Sequence, residues 1–549
     1  MYSRKRRGAL AASAIVLAFA VIAAACGDDS SASSSAGATT GGGSAVASTA
    51  AGPTTTAAPA SDPTGVIKVA ARNVSATGMP LDPIKVGNLT LQTYNALVYD
   101  TLLYDDGKDL TPGLAKRVDV MSKTQLEIEL PVNAKFTDGT AVDGEALKFS
   151  LERSIASNAR TAFDGLLFTA VDSIVVKSPT VVTINLKAPV AGAFRALLAR
   201  GEGMIVSPTA VKAGTDLATK PVGAGPFVLD KLDINGTTSF KKNPNYVNAD
   251  AIKVAGIDFV NVADATAATN ALRSGVVDFI NQVDNATAST LNSKPYATIQ
   301  QVSGNRYITL SLCLSQPPLN NLQVRQALNY ALDKDAMNTA LFDGKGEVMA
   351  DMWPKSSPYF TAQSVVGFDQ KKAKDLLSQA NVGPITLRAV VDPTSPTTAR
   401  LFELAQAQLK EVGITLTQVT TTNIAVDFFN TGNPASRKGD VAALVTSFIG
   451  INRVRPFITG FPANACGFTD PTLEAAAADI RSADAGSADA KAAWAKFDKF
   501  VFDNSLAVWG VWATDISAYN SDRLGGVSLV PDPSGGLVMN FVKTFVKKK

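Results

Sequence analysis

Histidine is absent from all 549 residues of this chain. That removes Ser-His-Asp and Cys-His nucleophilic machinery outright, together with the usual zinc ligand sets, and so excludes most familiar hydrolases. Excess charge is missing too: the net charge is +3 despite a basic opening, Arg4-Lys5-Arg6-Arg7, and a terminal Lys547-Lys548-Lys549. So small an excess leaves no extended basic surface for nucleic acid, and no nucleic-acid partner is expected. One catalytic pattern survives, the S-x-x-K match Ser239-Phe240-Lys241-Lys242, but it lies in "GTTSFKKNP", whose alternation reads as a strand. Strand geometry turns Ser239 and Lys242 to opposite faces. The acidic stretch "YDDGKD", Tyr104 to Asp109, lacks the oxygen-ligand spacing of a calcium loop and reads as a β-turn. Neither a metal site nor a cofactor is expected.

Cysteine is scarce, three in all, and the first stands at a junction. In "VIAAACGDDSSASSSAG", Val21 to Gly37, an apolar run from about Ala9 ends at Cys26 and a Ser/Ala/Gly-rich tract begins. A basic opening, an apolar run and small residues make the layout of a secretory signal over 1–25. A retained membrane helix fits less well, because the run is short and its following flank is small and polar rather than basic. The residues up to Cys26 resemble a bacterial lipobox, with Ala23 where that motif usually carries Leu. On that resemblance Cys26 is the lipidation site and new N-terminus; the alternative is an ordinary signal cut near Ala25, leaving a free thiol. Residues 26–65 are too poor in large apolar side chains to fold, and a flexible leash of about forty residues spans roughly 35 Å.

About 480 residues remain, ample for two lobes with cores of their own. Strand and helix patterns alternate throughout. "TQLEIEL", Thr124 to Leu130, reads as a half-buried strand, and "SIVVKSPTVVTINL", Ser173 to Leu186, as a hairpin turning at Ser178-Pro179. Asp143 is placed to cap a helix running through Leu147, Leu151 and Ile155. Leu401, Leu404, Ala405, Leu409 and Val412 make a second apolar stripe, which Gly413 stops before the strand "ITLTQV". The fold class is α/β with mixed sheets. Cys313 and Cys466 remain for an oxidising compartment, where a bridge can persist; the sequence leaves open whether they meet.

Several segments, in order, resemble the extracellular solute-binding proteins that feed peptide and nickel-type ABC importers. "LDP" at Leu81, "LTPGLAKRVDV" at Leu110 and "AKFTDGTAVDGEALKFSLERSI" at Ala134 resemble that family's early turn, its Pro-x-Leu-Ala segment and its F-x-D-G-T with following helix. "VGAGPFVLDKLDINGTTSFKKNPNY" at Val222 and "ALRSGVVDFI" at Ala271 are similar to its G-x-G-P-[FY] strand and A-L-x-x-G-x-x-D turn. "NNLQVRQALNYALDKDAM", "FDQKKAKDLLSQA" and "AQLKEVGITL" continue the series. Most of these residues are scaffold: turns, tight glycine geometry and helix cores.

The resemblance implies a two-lobed clamp of the periplasmic-binding-protein type with an enlarged first lobe. The first lobe spans 66–308, the second 309–507, and 508–549 return to the first. The chain crosses near "NRYITLSL", Asn305 to Leu312, and "LAVWGVWATDI", Leu506 to Ile516. It implies a monomeric receptor, not an enzyme, that is anchored to the cell membrane on its extracytoplasmic side and passes a peptide or other small solute to ABC permease subunits. A sensor on the same fold and a tethered cell-envelope enzyme are the rival readings. Ligand-binding residues are expected at Asn88, Trp353, Ser447, Asn452, Arg453, Arg455 and Asn464. Trp353 is either a cleft wall or a core plug. In "GDVAALVTSFIGINRVRPF", Asp440 keeps the strand start, but Arg453 and Arg455 stand where peptide-binding members commonly carry an aspartate for the peptide amine. Two guanidinium groups there favour an anionic solute, unless they face solvent or a structural acid.

Overall fold

A computed structural model describes residues 60–548, apart from 73–80, 86–88, 106–108, 158–166, 364–365, 430–436, 449, 462, 465 and 532–536. Cys26 and Asn88 lie outside the described residues. The described chain opens with Ser61 bridged to Lys547, and the Asp62 amide donates to the Val546 carbonyl at 2.7 Å. The last part of the expected tether is therefore held against the C-terminal segment.

An 11-stranded sheet organises the molecule. Its centre is an antiparallel pair of long strands, Tyr296–Leu312 and Ala507–Asn520, which overlap the segments Asn305 to Leu312 and Leu506 to Ile516. On one side the order runs through Val441–Ser447 and Ile385–Val391 to Ile414–Thr420. On the other it runs through Phe279–Ile280, Val66–Ala71, Gly256–Asn261 and Thr237–Lys242 to Phe227–Lys231. Only the Arg306–Leu312 half of the first long strand pairs with Val441–Ser447, while Phe279–Ile280 pairs with Ala518 and Tyr519, near the far end of the second. The two halves of the sheet thus hang from opposite ends of one crossing pair.

Register breaks in the middle of that pair: Val302 faces Thr514, yet Tyr307 already faces Trp512. The surplus residues, Gly304 and Asn305 among them, bulge from the ladder. Bulges of this kind bend a strand and re-aim its side chains, often beside functional sites. Each half has its own core. One gathers Ile67, Tyr94, Phe227, Phe240 and Phe259, with Leu524 and Phe541 from the returning C-terminus. The other gathers Leu387, Leu401, Leu409, Phe497 and Trp509. The second core also takes in Leu126, Ile184 and Phe194 from before the long strands; the chain is two-lobed, with mixed sheets.

Local elements follow the sequence signals. Asp143 caps Gly144–Ala156, accepting from the Ala146 amide at 2.9 Å; Leu147 and Leu151 are buried, but Ile155 at the frayed end is exposed. The hairpin turns between Val171–Ser178 and Val181–Leu186 and joins Gln125–Glu129 and Arg117–Ser122 in a separate four-stranded sheet. Gly413, at φ 87°, ends Pro396–Lys410 and releases Ile414–Thr420. Cys313 and Cys466 are bonded, with Cα atoms 5.1 Å apart across 153 residues of chain.

Candidate functional site

A cavity of about 470 Å³ lies beside the bulge of the crossing strand. Gln301, Val302, Gly304 and Asn305 line it from the bulge itself. Asp105, Asp109, Arg200 and the small face of the helix Ala191–Leu197 come from before the crossing, and Glu347, Trp353, Tyr359 and Trp494 from beyond it. Volume and mixed lining suit a small organic solute.

Its aromatic wall is built by two elements. Trp353 and Tyr359 sit on the loop after Glu347–Val348, and Trp494 on the helix Ala488–Asp503. Their ring centroids are 4.7 Å apart for Trp353–Tyr359 and 5.0 Å for Trp353–Trp494, the latter edge to face. Asp351 shapes the loop: one carboxylate oxygen accepts the Trp353 amide at 2.9 Å, the other the Thr361 amide at 3.0 Å and hydroxyl at 2.9 Å. The Trp353 indole N–H is buried and meets no acceptor among the described residues.

Arg453 is the centre of the site and is 1% exposed. Its guanidinium donates to the Met352 carbonyl at 2.8 Å, to the Gly304 carbonyl, and to Asn305 Oδ1 at 3.3 Å. Its plane lies 4.2 Å from the Trp353 ring centroid and 5.0 Å from that of Trp512. Burial pulls its pKa down to about 10, against the opposing pull of Tyr307, Asp498, Asp105 and Asp351. At neutral pH it is still a cation. Carbonyl dipoles and indole faces replace its water, the combination that makes a buried guanidinium tolerable. So held, Arg453 ties the crossing bulge to the aromatic loop.

The other expected ligand residues are placed differently. Asn452 is buried next to Arg453. Arg455 is half-buried, with its guanidinium 6.0 Å from the Phe461 ring, and stands outside the cavity lining. Asn464 folds its own turn, donating to the carbonyls of Ile458 at 3.2 Å and Phe468 at 2.7 Å and accepting from the Phe468 amide at 3.0 Å. Ser447 ends its strand opposite Arg306. Trp353 and Arg453 are thus brought together at the cavity, and Trp353 is wall and packing element at once.

Tyr359, Trp494, Asp105 and Asp109 also line the cavity, and no motif in the sequence marks them for it. Asp105 ends, and Asp109 precedes, the strands of the short antiparallel pair Leu103–Asp105 and Leu110–Pro112, while 106–108 of the expected β-turn lie outside the described residues. Trp494 repeats every fourth residue with Ala490 and Asp498, a spacing no different from core.

The cavity is closed on one side by direct contact between segments on either side of the crossing. Gly192 is so near Ala483 that a Cβ there would lie 1.7 Å from its carbonyl oxygen. One turn on, Arg195 pairs with Asp484 at 2.8 Å while its Nε donates to the Val118 carbonyl at 2.9 Å. Only glycine permits so close a backbone approach.

The sequence profile of the bacterial extracellular solute-binding proteins, family 5 (middle region), matches residues 109–458. The glutathione-binding protein GsiB of Pectobacterium atrosepticum is 29% identical over 371 residues, 66% of this chain and 71% of its own. Other glutathione-binding relatives, such as that of Escherichia coli K12, are matched over 56% of their length. Among solved structures, the ABC transporter substrate-binding protein CtaP of Listeria monocytogenes superposes with a TM-score of 0.77 at 18% identity, covering 89% of this chain and 100% of that one. The periplasmic binding protein DppA of Helicobacter pylori, in complex with the peptide STSA, gives 0.71 at 19% identity, covering 88% and 98%.

Proposed function

Because the chain belongs to the bacterial extracellular solute-binding proteins of family 5, we propose that it captures a small peptide or peptide-like solute outside the cytoplasm and delivers it, unaltered, to an ABC permease. The observation that carries this is the cavity at the crossing strands, lined from both sides and closed at Gly192 and Ala483. Its chemistry suits a short peptide: ring faces for side chains, the Trp353 indole N–H, unpartnered among the described residues, for a carbonyl, and the amide of Gln301 for a backbone. Glutathione and the peptide STSA, carried by the relatives' names, are of that size and kind. Arg453, committed to carbonyls, gives little support to an anion site, and Arg455 stands apart from the lining.

The finer reading is a monomer with lobes at 66–308 and 309–507, a return over 508–549, and an anchor at Cys26. No helix among the described residues is long and apolar enough to cross a membrane; in this reading a lipid on Cys26 supplies the attachment. The test is native mass spectrometry of the purified full chain, followed by calorimetry with glutathione and with short peptides bearing free or blocked N-termini. A bound small solute, released with unchanged mass, is expected. A solute of altered mass after incubation indicates an enzyme, and failure to bind any of these probes rejects the peptide reading.

A further inference from the structure

Asp498 lies on the helix that carries Trp494, one turn deeper on the same face, and is 0% exposed. No N–H or O–H group among the described residues donates to either of its carboxyl oxygens. Its neighbour is a second carboxyl, Asp351, also 0% exposed, which organises the aromatic loop. Asp351 already accepts three donors from Trp353 and Thr361. Two ionised carboxylates side by side in a buried setting repel strongly, and Arg453, the cation nearby, directs its two Nη groups to carbonyl and amide oxygens instead.

We propose that Asp498 holds a proton and donates it in a hydrogen bond to Asp351, so that this neutral-acid contact positions the aromatic wall of the cleft against the helix Ala488–Asp503. The donor count among the described residues assigns the proton to Asp498: Asp351 accepts three donors there, and Asp498 accepts none. Burial first, then the charge and the hydrogen bond of Asp351, push the Asp498 pKa well above 3.8, and Arg453 opposes them. The charged or titratable groups facing the pair are Arg453 and, around that guanidinium, Tyr307 and Asp105. Asp498 is thus a positioning residue; it acts on solute through Trp353, Tyr359 and Trp494. The functional consequence rests on the cleft being the solute site, but the tests below use solute-free protein, so the two can fail separately.

The sign of the pH dependence follows from the raised pKa. An unfolded chain releases this proton near 3.8 while the folded one keeps it, so stability is greatest below that value and declines as pH rises towards the folded one. Across that window the folded-to-unfolded ratio falls roughly tenfold per pH unit from this group alone. Asp498→Asn keeps a donor and has no proton to lose. Thermal unfolding from about pH 5 to about pH 9 should show Asn at least as stable as the wild type at neutral pH, with the gap widening as pH rises. Asp498→Leu, which lacks a donor, should shift tryptophan fluorescence where Asp498→Asn does not. The infrared spectrum at neutral pH should contain a protonated-carboxyl carbonyl band that Asp498→Asn removes. An Asn variant less stable than wild type by an amount constant with pH, or a wild type lacking that band, would show that Asp498 is ionised and overturn the proposal.

Discussion

Replacing Arg453 by Met separates a brace from a solute receptor. The thioether fills much of the guanidinium's volume but donates nothing, so the Met352 and Gly304 carbonyls and Asn305 Oδ1 lose their donor and Trp353 and Trp512 lose the cation on their faces. Charge-assisted hydrogen bonds contribute about 1.5–3 kcal/mol each, and relief of the guanidinium's own desolvation returns part of that. A net loss of about 3 kcal/mol is expected, roughly 3 °C in melting temperature for a body of this size. Arg455→Met, a control at a half-buried guanidinium against Phe461, should lose about 1 kcal/mol or less. The assay is thermal unfolding without solute, paired with calorimetric titration of the peptide that binds the wild type. An unchanged melting temperature together with a tenfold or greater loss of affinity would refute the reasoning, because it would mean that the donors reach the solute instead of the bulge.

Three further outcomes are expected. Cys26→Ala should leave the body folded but move it from the membrane to the soluble fraction, as determined by fractionation and immunoblotting. Gly192→Ala should hold the lobes apart, since its Cβ would meet the Ala483 carbonyl at 1.7 Å; small-angle scattering should show a larger radius of gyration with saturating solute, and affinity should drop. Cys313→Ala with Cys466→Ala frees a 153-residue loop in the unfolded state, an entropic loss of about 5 kcal/mol at most, to be read as a lower denaturation midpoint in urea.

The scaffold was legible because its elements repeat at their own period and end on strong signals. Asp143 before Leu147 and Leu151, Gly413 after Leu409, and the alternation of "TQLEIEL" each describe one element in one environment. The site was less legible because its residues serve two environments. Helix Ala488–Asp503 packs Phe497 and Val501 into the core and presents Ala490 and Trp494 to the cavity, so no stripe marks the change. In "AKFDKFVFD" Asp498 has the look of a solvated helix charge between lysines, and its burial beside Asp351, far away in sequence, shows only in the fold. Arg453 was legible as unusual but not in its role, since the carbonyls it holds belong to a bulge that appears only when the crossing strands pair.

Hydrogen exchange along the crossing strands, with and without the solute identified by mass spectrometry, tests the clamp most directly. Closure around a bound solute restricts both lobes at their junction, so amides around Asn305 to Leu312 and Leu506 to Ile516 should exchange more slowly in the complex. Saturating solute, confirmed by its mass, with exchange in both strands unchanged would contradict the account.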